Sequence, residues 1–389
     1  MKALLVLLFT TTLSLQLMAQ TITDSIMNQG VQRTFHYHVP SSYNGIDQLP
    51  VVVVLHGGNS DGLSFMNNSY FDEIADTASY IALFPDAYLG NWTDGRGNTP
   101  ADSAGIDDIS FLPTLIDSLA GSYAIDTCRL YVTGISNGGM MTHRLACERS
   151  ETFQGYASIA ASLPSAYYPS CSPTASVNLM MIHGTEDNFS PYAGGPSSVP
   201  SSTGTVTGID STITFWANHN NCTNQSTPDS TVFPDINTTD NGHVVKYEYQ
   251  PCDANKAVAL YKVYGGGHTL PGGPGPVFVP IVGYSNKDVN GAAEIWKFFS
   301  DKSCSPTTSS VETIKLADLK IYPNPASDRL TVETNAKIQT VVLYQLDGRA
   351  VISATTSQID VSSVPPGVYI VEVQLEDEQH SVRQAVVKH

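Results

Sequence analysis

A serine, a histidine and a carboxylate can together run acyl transfer, provided that each sits on a turn that presents it. In these 389 residues the sharpest such turn is Gly134-Ile135-Ser136-Asn137-Gly138, directly after the β-prone run Leu130-Tyr131-Val132-Thr133 and before a helix-like stretch. This is the G-x-S-x-G pattern in the strand–turn–helix setting of a nucleophile elbow, where neighbouring side chains would clash on a tight turn. A serine nucleophile needs a base, and the base an orienting acid, in the chain order Ser, Asp or Glu, His for that architecture. Of the ten histidines, His36, His38 and His56 lie upstream of the serine and His143 lies on the helix that follows it. His183 precedes any available acid, His219 and His243 have polar surroundings without a site-like context, and His380 and His389 fall in the tail. His268 remains, in Gly265-Gly266-Gly267-His268-Thr269 just beyond a strand-like run, and is assigned as the base. The acid is sought after the preceding strand, in His183-Gly184-Thr185-Glu186-Asp187. Asp187 is preferred because it lies further into the loop, with Glu186 as the fallback. Oxyanion donors are expected from the backbone N–H of Gly58 or Asn59, in the loop that ends the run Val51–Leu55, and from that of Asn137.

Those residues must be carried at the ends of regular elements. Strands are predicted at 33–39, 50–56, 80–84, 129–134, 156–160, 177–182 and 258–264, and helices at 107–120, 138–148, 211–219 and 292–300. Val51–Leu55 is apolar without alternation, as in a strand buried on both faces. The β/α alternation predicts an α/β-hydrolase fold, a mostly parallel sheet with helices on both faces. Two polar stretches, 188–208 and 220–241, are expected to be surface loops or lid-like insertions. The composition then shifts to Ser, Pro and Thr. The expected organisation is a signal peptide at 1–20, a catalytic domain at 21–303, a linker at 304–317 and a small β-sandwich at 318–389.

Composition narrows the function classes. The formal charge is −17, from 19 basic and 36 acidic residues, and there is no basic cluster. Nucleic acid is excluded as a partner because its binding relies on Lys and Arg at phosphates. The first twenty residues combine a charged start, a short apolar run and a small residue at the exit, the signature of a secretory signal peptide. An oxidising destination makes disulfides plausible for the six cysteines, Cys128, Cys147, Cys171, Cys222, Cys252 and Cys304. The pairs Cys222–Cys252, Cys147–Cys171 and, by subtraction, Cys128–Cys304 are favoured. No metal site or cofactor is expected: His36-x-His38 offers two ligands without a carboxylate nearby, as surface histidines do.

The segments His56-Gly57-Gly58, Gly134-Ile135-Ser136-Asn137-Gly138-Gly139, Leu145-Ala146-Cys147, His183-Gly184-Thr185-Glu186-Asp187 and Gly265-Gly266-Gly267-His268-Thr269 resemble the secreted polyhydroxybutyrate depolymerase/feruloyl esterase group of α/β-hydrolases, over about residues 28 to 302. The chain departs from that group at Leu270-Pro271-Gly272, where Trp-Pro-Gly is common. The resemblance implies an extracellular serine esterase acting on polyesters or on feruloyl and acetyl esters of plant polysaccharides. Residues 318–389 resemble the sorting domain of type IX secretion substrates, through Ile321-Tyr322-Pro323-Asn324-Pro325-Ala326, Leu346-Asp347-Gly348-Arg349 and Pro366-Gly367-Val368-Tyr369. That implies the type IX machinery as a partner, with secretion or cell-surface display. The expected protein is a monomeric ester hydrolase that works through an acyl-enzyme. The competing class is a catalytically inactive hydrolase fold that binds a surface.

Overall fold

A computed structural model describes residues 20–197, 204–240, 242–273, 279–302, 319–334, 337–345, 349–375 and 381–388. Residues 1–19 of the expected signal peptide, the expected linker and Cys304 lie outside the described residues, and Gln20 opens the first strand. The chain divides into two compact units, Met1–Cys304 and Ser305–His389.

The larger unit contains, in chain order, β1 (Gln20–Asn28), β2 (Val31–Val39), β3 (Leu49–Leu55), β4 (Ile81–Pro85), β5 (Ile125–Ile135), β6 (Gly155–Ile159), β7 (Leu179–Gly184), β8 (Gly195–Ser197), β9 (Gly204–Val206), β10 (Asp229–Val232), β11 (His243–Tyr249) and β12 (Val258–Tyr264). Strands β8 and β9 form a separate hairpin, and the others form one sheet in the order β1-β2-β4-β3-β5-β6-β7-β12-β11-β10. The six central strands, β4 to β12, are mutually parallel, and the antiparallel pairs lie at the two margins. Period-two alternation explains the layers: Val51, Val53 and Leu55 face one core, Val52 and Val54 the other. The first core is covered by helices Asp108–Ala120, Asn137–Glu148 and Ile209–His219, through Leu112, Leu115, Met141, Leu145, Ile213 and Trp216. Helices Phe71–Ala78 and Gly291–Ser300 cover the second through Phe71, Ala75, Ile295 and Phe299. The larger unit has the α/β-hydrolase fold.

Among the described residues, two disulfides brace this unit. Cys147–Cys171 ties the end of helix Asn137–Glu148 to the turn Tyr168–Ser170, and Cys222–Cys252 joins the segment after helix Ile209–His219 to the approach of β12. Cys128 is also disulfide-bonded. Within the stretch 220–241, expected as a loop, β10 pairs antiparallel with β11 and forms the sheet edge. Its four residues are all exposed, so no alternation marks it in the sequence.

The smaller unit comprises β13 (Lys320–Tyr322), β14 (Arg329–Glu333), β15 (Ile338–Gln345), β16 (Ala350–Ala354), β17 (Gln358–Asp360), β18 (Gly367–Leu375) and β19 (Ser381–Lys388). They form two antiparallel sheets, β13-β14-β17 and β16-β15-β18-β19. Leu330, Val341, Leu343, Val371 and Val373 are buried in a core of its own. Among the described residues no helix is long and apolar enough to cross a membrane.

Candidate active site

The expected chemistry gathers at the carboxyl ends of the parallel strands, where open α/β sheets bind ligands. Strand β3 leads into Gly58, β5 into Ser136, β7 into Asp187 and β12 into His268. In the sheet β3 lies beside β5, and β7 beside β12, with β6 between the two pairs.

Ser136 sits at φ +57° and ψ −122°, a conformation costly for a side-chain-bearing residue, and its N–H donates to the Ile159 carbonyl at 2.9 Å. The flanking glycines are dictated by close approach. A Cβ on Gly134 would lie 2.5 Å from the Gly138 carbonyl, and one on Gly138 would lie 2.5 Å from the carbonyl oxygens of Leu55 and His56. Strand β5 therefore crosses into its helix directly against the end of β3. Ser136 is thereby brought beside Gly57 and Gly58.

His268 is held by an equally tight contact, since a Cβ on Gly267 would lie 2.0 Å from the Val282 carbonyl oxygen. The His268 N–H donates to that same oxygen at 2.6 Å. Its Nδ1 lies 2.8 Å from Asp187 Oδ2. The other carboxylate oxygen accepts from the Phe189 and Ser190 N–H groups at 2.9 and 2.8 Å. Burial works to raise the Asp187 pKa, but the charge and hydrogen bond of His268, with His183 and Ser190, outweigh it and hold the carboxyl below its usual range. Asp187 is the acid that meets His268. Glu186 is exposed, one residue short of the contact.

The two amides after β3 are not equivalent. The Asn59 N–H donates to the Gly90 carbonyl at 2.8 Å, which corrects the expectation of Asn59 as an oxyanion donor. No hydrogen bond engages the Gly58 amide among the described residues, and Asn137 opens a helix, where the first N–H groups have no intrahelical partner. Of the expected donors, the Gly58 and Asn137 amides are the ones left without a backbone partner among the described residues.

Two hollows open on either side of this centre, and both include Gly58, Ser136 and His268. The smaller, about 160 Å³, is walled by Asn91, Arg96, Met140, Phe189 and Ser197. The larger, about 380 Å³, is walled by Phe65, Asn68, Thr269, Leu270 and Ser285. Sequence reasoning missed Asn91 and Arg96, which come from the irregular loop between β4 and helix Asp108–Ala120. Their only signal is a run rich in Asn, Asp and Gly around one tryptophan, Asn91-Trp92-Thr93-Asp94-Gly95-Arg96. Phe189, Ser190 and Ser197 come from the stretch expected as a lid-like insertion.

Two buried histidines near this centre, His56 and His183, have structural partners. Burial holds His56 below its usual pKa, and its ring takes the Ala87 N–H on Nε2 while Nδ1 contacts the Gly57 carbonyl. His183 is likewise buried, with Nε2 2.8 Å from the Ser190 carbonyl oxygen and 3.4 Å from Asp187. Among the described residues no cluster of three His, Cys, Asp or Glu side chains could hold a metal ion.

Comparison with known proteins adds names to this geometry. Residues 320–388 match the secretion system C-terminal sorting domain. A bifunctional acetylxylan esterase/xylanase of Neocallimastix patriciarum is 24% identical over 64% of this chain and 33% of its own. Feruloyl esterase B of Piromyces equi is 26% identical over 59% of this chain and 41% of its own. Poly(3-hydroxyalkanoate) depolymerase C of Paucimonas lemoignei is 27% identical over 61% and 58%. The chain thus spans between a third and three fifths of these relatives' lengths. A solved acetyl xylan esterase from Aspergillus awamori overlays 70% of this chain and 99% of its own, at 15% identity and a TM-score of 0.46. The chain is a secreted or cell-surface protein in which an α/β-hydrolase unit is followed by a secretion system C-terminal sorting domain.

Proposed function

We propose that this protein is an extracellular serine carboxylic-ester hydrolase whose catalytic residues are Ser136, His268 and Asp187. The observation that carries the reading is the buried Asp187 carboxylate on His268 Nδ1, with His268 and Ser136 lining the same two hollows beside the amides of Gly58 and Asn137. With Nδ1 held by Asp187, Nε2 is the ring nitrogen left to take the Ser136 proton as the hydroxyl attacks the ester carbonyl. The amides of Gly58 and Asn137 receive the oxyanion. Collapse breaks the bond to the alcohol, which leaves with the proton from His268, and water repeats the sequence on the acyl-enzyme.

Substrates of two kinds suit the relatives' names: polyesters, and feruloyl or acetyl esters on polysaccharides. The domain assignment proposed is catalysis at 21–303, a linker at 304–317 and sorting at 318–389 through the type IX machinery, in a monomer. Fluorophosphonate labelling and an activity profile over hydroxyalkanoate, feruloyl and acetyl-xylan esters test the reading. The expected result is one label on Ser136 and turnover of at least one class, lowered about 10⁴-fold or more by Ser136→Ala. An unlabelled serine with no ester turnover would refute it.

A further inference from the structure

Behind the smaller hollow lies a fully buried carboxylate that the mechanism above leaves unused. Asp94 Oδ2 accepts from Asn137 Nδ2 at 2.5 Å and from Arg96 Nε and Nη2 at 2.8 and 2.6 Å. Asp94 Oδ1 accepts from the Arg96 N–H at 3.0 Å. Asp94 has no exposed side-chain surface, and the Arg96 side chain is 4% exposed where it walls the hollow. Asn137 is clamped further, because its Oδ1 accepts from the Trp92 N–H at 2.8 Å and its Nδ2 donates to the Trp92 carbonyl at 3.2 Å. The residue whose backbone offers an oxyanion donor is thus fixed by its side chain to the loop that builds the cavity wall.

We propose that Asp94 is a positioning residue for this site, setting the Asn137 amide against the oxyanion and the Arg96 wall against the acyl group together. The proposal rests on the esterase reading. Its logic is that one buried carboxylate answers two groups of different duty. Taking its charge away breaks the buried, doubly hydrogen-bonded ion pair that holds the Arg96 side chain against this loop, a costly loss that moves the wall. The same loss slackens the clamp on Asn137. Misplacement of a catalytic donor by about 1 Å can cost on the order of 10²-fold in rate.

The test uses the full chain and compares wild type with Asp94→Asn, Asn137→Ala and Arg96→Met. Kinetics on p-nitrophenyl acetate and butyrate are expressed per fluorophosphonate-labelled Ser136, so that misfolded protein drops out of the rate. Asp94→Asn should lower kcat about 10- to 10²-fold on both esters, with KM changing less, because an oxyanion donor acts in the transition state. It should also shift the butyrate-to-acetate ratio of kcat/KM, and Arg96→Met should shift that ratio in the same direction with a smaller loss of kcat. Asn137→Ala keeps the backbone amide but loses the clamp, and should lower kcat in the same way. If Asp94→Asn does not fold, the other two variants carry the two halves of the claim. A kcat per labelled site within about twofold of wild type for Asp94→Asn, or for Asn137→Ala in its place, would overturn the proposal. An acyl preference unmoved by Arg96→Met would also overturn it. Failure of the wild type to label or turn over would instead remove the esterase reading.

Discussion

Replacing Asp187 with Asn isolates what the carboxylate does, because the surrounding hydrogen bonds dictate how the amide must sit. Oδ1 of Asp187 accepts two backbone N–H groups, at 2.9 and 2.8 Å. An asparagine must keep its carbonyl oxygen there, since the reverse orientation would set its NH₂ against two donors and leave them unpaired. Its NH₂ then faces His268 Nδ1, at a position now 2.8 Å from an acceptor. Nδ1 must become an acceptor, which moves the ring proton to Nε2, where it cannot take a proton from Ser136. The wrong tautomer in this arrangement costs about 10⁴ in kcat, and at about 1.4 kcal/mol per factor of ten that is roughly 5.5 kcal/mol of transition-state stabilisation. The assay is steady-state hydrolysis of p-nitrophenyl acetate at neutral pH, normalised to folded protein by circular dichroism. A loss below about tenfold in a folded Asp187→Asn variant would show that His268 does not depend on Asp187, and the tautomer argument would fail.

Closing a 30-residue separation, the Cys222–Cys252 bridge should contribute about 3.5 kcal/mol in the chain-entropy model, so the Cys222→Ser/Cys252→Ser variant should lose that much in urea unfolding. Buried His143 has its pKa pushed down to about 3 by desolvation, so the unfolded chain binds more protons than the folded one from about pH 6.5 downward. Stability should therefore fall with falling pH by up to about 1.4 kcal/mol per unit from this group, and His143→Gln should show a shallower acid limb in denaturant titrations. The chain cut after Cys304, at the boundary between the two units, should keep its kcat on a soluble ester in vitro, yet stay within the cell envelope when expressed in its host, as fractionation would show. Loss of activity on the soluble ester would place residues 305–389 in the catalytic architecture.

Those elements whose apolar pattern records burial were readable from the chain. Val51–Leu55 announces a strand covered on both sides, and helix Asn137–Glu148 shows both in its pattern and in the glycine-bounded turn before it. Strand β10 is Asp-Ser-Thr-Val at the sheet edge, where no side chain is buried and the hydrophobic signal vanishes. Asp187 and His268, the proposed acid and base, could be ordered from strand ends because such groups must follow strands in sequence. Asp94 and Arg96 could not, because they sit on an irregular loop whose path is set by partners far along the chain: Asp108 accepts from the Thr93 N–H, and Asn137 grips Trp92. Asn59 was misjudged for a related reason. The carbonyl that captures its amide belongs to Gly90, thirty-one residues on, a pairing that local sequence does not encode.

The backbone of Ser136 carries one further consequence, for how the protein can drift. At φ +57° the position favours a residue without a side chain. Any selection for folding alone, on a copy released from its catalytic duty, would push residue 136 toward glycine and gain stability by the change. On the catalytic role proposed for Ser136, a serine kept at this position is a record of use. In descendants of this chain, the identity of that one residue should separate working hydrolases from those retained only as a scaffold.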